Sequence, residues 1–70
     1  MTEYRYFYNG KLRRTSHRIY THGVYDAKYD QLNMCSSTYQ GAVKLMRASG
    51  CYDHRPGDFS IVELTREARP

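Results

Sequence analysis

The chain opens on an aromatic run, Tyr4-Arg5-Tyr6-Phe7-Tyr8, that stops at Asn9-Gly10 and resumes as Lys11-Leu12-Arg13-Arg14-Thr15. Asn-Gly supplies the two positive-φ positions of a type I′ turn, whose twist matches the strands on either side. A two-residue loop predicts a register in which Tyr8 faces Lys11, Phe7 faces Leu12, Tyr6 faces Arg13, Arg5 faces Arg14 and Tyr4 faces Thr15. Tyr4, Tyr6, Tyr8, Lys11, Arg13 and Thr15 then share one face, and Arg5, Phe7, Leu12 and Arg14 the other. A third strand is expected from Arg18 to Tyr25. Asp26 to Met34 is polar and irregular and predicts a loop.

A helical period follows. Ser37-Thr38-Tyr39-Gln40 has the form of a capping box, and Tyr39, Ala42, Val43 and Met46 recur at i, i+3, i+4 and i+7, with Leu45 widening the stripe. Gly50 stands where a C-terminal cap belongs, which sets the expected helix at residues 37–49. Gly41 inside it implies a close approach to the sheet. Asp53 to Asp58 predicts a turn, Phe59 to Thr65 a last strand, and Arg66 to Pro70 a frayed tail. The expected architecture is α+β: a single domain over residues 1–70, ordered β-β-β-α-β, with one mainly antiparallel sheet and a single helix on one face.

One helix cannot cover both faces of such a sheet. Either Phe7 and Leu12 lie under the helix with the tyrosines outward, or the tyrosines pack inward and Arg5 and Arg14 point to water. A 70-residue chain buries only about 60% of its unfolded surface. That shortage of apolar volume favours placing the three rings inside. Arg5 and Arg14, facing each other, repel unless they splay apart or share an anion.

Charge adds a second asymmetry. Of 11 Lys and Arg and seven Asp and Glu, five cations and one acid fall before Asp26, so the net +4 resides there. Cations interleaved with tyrosines suit phosphate or an acidic protein face. The candidate binding residues are Arg5, Tyr6, Tyr8, Lys11, Arg13, Arg14, Arg18 and Tyr20. The low hydropathy and the lack of a long apolar run exclude a spanning helix, and Met1-Thr2-Glu3-Tyr4 is not a secretion signal. Two cysteines are too few for a disulfide scaffold. The expectation is a soluble cytoplasmic chain with reduced thiols.

Motifs for catalysis are sparse. Cys51-x-x-His54 with Cys35 has zinc-ligand residue types, but a helix of about 13 residues separates the two cysteines by roughly 20 Å. The same span excludes a Cys35–Cys51 disulfide. Asp26, Asp30, Asp53 and Asp58 fall in turns, where aspartates cap their own backbone. No nucleophile stands beside them, and a core this small leaves no room for a deep catalytic pocket. No enzyme activity and no cofactor are expected.

The run Asn9-Gly10-Lys11-Leu12-Arg13-Arg14-Thr15-Ser16-His17-Arg18-Ile19-Tyr20-Thr21-His22-Gly23-Val24, followed by Cys35-Ser36-Ser37 before a helix, resembles small accessory proteins of bacteriophages. The resemblance covers about the first two-thirds of the chain and carries no catalytic motif. It implies a stoichiometric inhibitor of host enzymes or antiviral systems, of which anti-CRISPR proteins are one kind, acting in the host cytoplasm. A basic chain is not a DNA mimic. The leading expectation is an inhibitor or adaptor that binds a host protein or ribonucleoprotein. The alternative is a small nucleic-acid-binding module using the same surface. A metal-assisted nuclease or deaminase around His54 is a distant third, and the oligomeric state is left open.

Overall fold

Asn9 and Gly10 adopt φ values of 53° and 73°, as a type I′ turn requires. The turn joins β1 (Glu3–Tyr8) to β2 (Lys11–Ser16) in a computed structural model that describes residues 2–50 and 57–69. Tyr8 pairs with Lys11 and Phe7 with Leu12, but Tyr6 then pairs with Arg14, Arg5 with Thr15 and Tyr4 with Ser16. Arg13 is the extra residue of a bulge, so the expected Arg5–Arg14 and Tyr6–Arg13 pairs do not form. A bulge sets two consecutive residues against one on the partner strand. Here it turns both Arg13 and Arg14 toward the second sheet, where their contacts lie.

The rest of the order is β3 (His22–Asp26), β4 (Gln31–Ser36), α1 (Tyr39–Ala48), β5 (Phe59–Glu63) and β6 (Thr65–Arg69). The fold is α+β with one helix among the described residues, but six strands form two antiparallel sheets rather than one. The first runs β2-β1-β6 and the second β4-β3-β5. The expected third strand starts at His22 rather than Arg18. Two strands replace segments read as loop and tail. In β4, Asn33 is bulged opposite the Val24/Tyr25 step. Leu32 and Cys35, three apart, thereby reach one face and lose the period-two signature. In β6 every residue is exposed, so no apolar alternation marks it.

β5 and β6 form one nearly continuous ribbon that changes sheets at Leu64, whose N–H donates to the Thr21 carbonyl at 3.0 Å. The molecule is accordingly long, 40 × 22 × 14 Å. The helix packs only on the second sheet. Val24 and Ala42 are buried there, and Tyr39, Val43 and Met46 meet Ile61. On the sheet's other face Leu32, Cys35 and Val62 form a core with Tyr8, Tyr20, Tyr25 and Leu64. The tyrosines therefore pack inward as core volume requires, although against a second sheet and not against the helix.

Thr38 caps the helix, accepting from the Gly41 N–H at 3.0 Å, one residue later than the expected Ser37. A Cβ on Gly41 would lie 2.2 Å from Ser36 Oγ, so the close approach is to the end of β4. Gly50, at φ 74°, follows the C-cap as expected. Most of the turn expected from Asp53 to Asp58 lies outside the described residues.

Candidate binding surface

The eight residues expected to bind a partner separate into three places. Tyr6 is fully buried. Its hydroxyl donates to the Arg18 carbonyl at 2.5 Å and accepts from the Tyr20 N–H at 2.9 Å, which ties the residue 17–21 crossover to the first sheet. The Tyr20 ring rests on it at 5.4 Å. Tyr6 is thus a core residue and unavailable to a partner.

Tyr8, Lys11 and Arg13 converge on Asp30. Lys11 Nζ donates to Asp30 Oδ2 at 2.5 Å, and the Arg13 guanidinium donates to Oδ1 at 2.9 Å and to the Asp30 carbonyl at 2.8 Å. The Tyr25 hydroxyl donates to Oδ1 at 2.5 Å. Arg13 also donates through Nε to the Tyr8 carbonyl at 3.1 Å and lies 5.9 and 5.5 Å from the Tyr8 and Tyr25 ring centres. Its side chain is only 7% exposed. Asp30, at φ 50°, turns both its carboxylate and its carbonyl toward the hairpin. Aspartate tolerates this left-handed conformation better than most residues.

Lys11, then Tyr25 and Arg13, hold the Asp30 carboxyl well below the usual carboxylate range. The Asp30 carboxylate in turn raises the Tyr25 phenol above its ordinary value. This cluster clamps the two sheets together. Lys11 and Arg13, expected to meet a partner, share the one carboxylate of Asp30.

Arg14, Arg18 and Arg66 come from three segments that meet at Tyr6. Arg14 and Arg66 are its register partners on the two neighbouring strands, and the Arg18 backbone carbonyl accepts from its hydroxyl. Arg14 lies 6.0 Å from the Tyr20 ring centre and Arg66 5.1 Å from that of Tyr4. Among the described residues no carboxylate pairs with Arg14, Arg18 or Arg66. Arg14 and Arg66 stand two strand spacings apart, about 10 Å. Their repulsion is about 0.4 kcal/mol at the dielectric constant of water. The fold tolerates that easily, and an incoming anion would relieve it.

Beside them lies a cleft of about 380 Å³ lined by Tyr20, Thr21, His22, Glu63, Leu64 and Arg66, where the chain crosses between sheets. Arg5 projects from the opposite, outer face of the first sheet with Phe7 and Leu12, the latter 54% exposed. The uncovered sheet face expected from having one helix is this one.

Sequence reasoning missed Asp30, which it treated as a turn residue, and Arg66, which it assigned to a tail. Nothing local marks either. Their roles arise from pairings across 17 or more residues of sequence.

Cys35 is buried, and burial pushes its thiol up while Arg14 opposes the shift. A thiol held protonated in this way is a poor nucleophile and metal ligand. No group of three or more metal-ligating side chains occurs among the described residues. Cys51 and His54 lie outside them. Among the described residues no helix is long and apolar enough to cross a membrane. Comparison of the chain with protein-family models, curated proteins and solved structures finds no match.

Proposed function

We propose that this chain is a non-enzymatic binding protein of the phage inhibitor or adaptor type. It engages an anionic face of a host protein or ribonucleoprotein through Arg14, Arg18 and Arg66, with Tyr4 and Tyr20 between them. The observation that carries the reading is that, among the described residues, these three arginines lack a carboxylate partner, whereas Lys11 and Arg13 in the same sheet share the carboxylate of Asp30. Unneutralised cations around rigid rings steer an anionic partner and hold it by stacking and cation–π contact.

A stand-alone nucleic-acid module is the second reading. It is favoured by the placing of two of these guanidinium groups over tyrosine rings, which leaves a basic and aromatic strip suited to phosphates and bases.

Affinity capture from bacterial lysate, with and without nuclease, separates the two. The leading reading expects a stoichiometric protein partner that survives nuclease and is released as salt rises. Capture that disappears with nuclease supports the second reading. Retention indifferent to salt would overturn both, because neither then depends on the arginines.

A further inference from the structure

The cleft at the sheet junction carries polar groups that pair with no protein carboxylate or cation among the described residues. His22 Nδ1 lies 2.8 Å from Thr21 Oγ1, and that hydroxyl donates to the Ser37 carbonyl at 2.9 Å. One hydroxyl has one hydrogen, so the imidazole donates from Nδ1. The His22 ring is further fixed edge-on to Tyr39 at 5.7 Å. Glu63 pairs directly with His22 in the β3–β5 ladder and adds a carboxylate without an ion pair among the described residues. Arg66 brings a guanidinium, Tyr20 a ring and Leu64 an apolar wall. The cleft thus offers a carboxylate acceptor, an imidazole edge, one cationic donor and apolar walls.

A planar ring with adjacent N–H donors and a nearby anion matches that set. We infer that the cleft receives an unpaired guanine base of a single-stranded nucleic acid, with Glu63 accepting from the base and Arg66 on the neighbouring phosphate. This rests on the reading above that the arginine surface meets an anionic partner, and it names that partner's contacting chemistry. Guanine presents a ring N–H beside an amino group, two parallel donors for the two oxygens of a carboxylate. Adenine and cytosine present an amino group beside an acceptor nitrogen, and uracil and thymine an N–H between two carbonyls. Each of those four sets an acceptor against Glu63.

Fluorescence anisotropy of the full chain tests this with a labelled short oligouridylate, the same oligomer carrying one central guanine, and the deoxythymidylate counterparts of both. Guanine should tighten binding roughly tenfold or more, as expected for a bidentate base contact. Glu63→Gln should abolish the ratio between oligomers with and without guanine. A preference in only one sugar series still supports the pocket and identifies the backbone it takes. Equal affinity for oligomers with and without guanine, or a preference that survives Glu63→Gln, overturns the pocket while leaving the arginine surface standing. Failure to bind any oligomer, by a chain that still holds a captured protein partner, removes nucleic acid as the occupant.

Discussion

Tyr6 and Asp30 each bind distant parts of the chain through one side chain. The Tyr6 hydroxyl satisfies two backbone groups of the crossover from β2 to β3. Tyr6→Phe keeps the ring but strands the Arg18 carbonyl and the Tyr20 N–H. A loss of about 1–3 kcal/mol is expected, read as a lower midpoint in thermal or urea unfolding. An unchanged midpoint would mean that the crossover is held by other contacts. Asp30 acts through charge, and its effect should depend on pH. Its carboxyl is held below its ordinary value, so its contribution is present above about pH 4 and fades as pH falls from there through the lower folded value. Asp30→Asn should therefore melt below the parent at neutral pH and converge with it in acid. A gap that stays constant into acid would show that the clamp is not electrostatic. Neither role was legible in the sequence. Tyr6 looks like its neighbours Tyr4 and Tyr8, and a turn aspartate ordinarily caps its own backbone.

Elements announced by local chemistry appeared where the sequence placed them. The Asn9-Gly10 hairpin formed because few dipeptides accept two positive φ values, and α1 formed because its apolar stripe repeats at helical spacing. What failed was detail that depends on partners. The bulge at Arg13 shifted the register beyond it and brought Arg14 inward. β4 escaped notice because the bulge at Asn33 breaks its alternation, and β6 because an exposed edge strand has no apolar face to display. The helix cap lies one residue from its expected place, which a pair of substitutions can check. Thr38→Ala should cost about 1 kcal/mol through loss of the bond to the Gly41 N–H, and Ser37→Ala close to nothing. Equal melting of the two variants would contradict the assigned cap.

At the scale of the molecule, the basic N-terminal block read from composition divides by ion pairing. Lys11 and Arg13 close the joint between sheets against Asp30, whereas Arg14 and Arg18, joined by Arg66 from the far end of the chain, have no carboxylate partner among the described residues. The sequence places the net charge in the N-terminal block but cannot sort its cations, because sorting them requires the fold. The most direct test compares Arg13→Glu with the double variant Arg14→Glu/Arg66→Glu by circular dichroism melting and by capture of the partner. Arg13→Glu should lower the melting midpoint sharply, since a buried guanidinium is exchanged for a carboxylate facing Asp30. The double variant should melt close to the parent and lose the partner. A double variant that captures its partner as the parent does, or an Arg13→Glu chain that melts like the parent, would contradict this division between structural and binding charge.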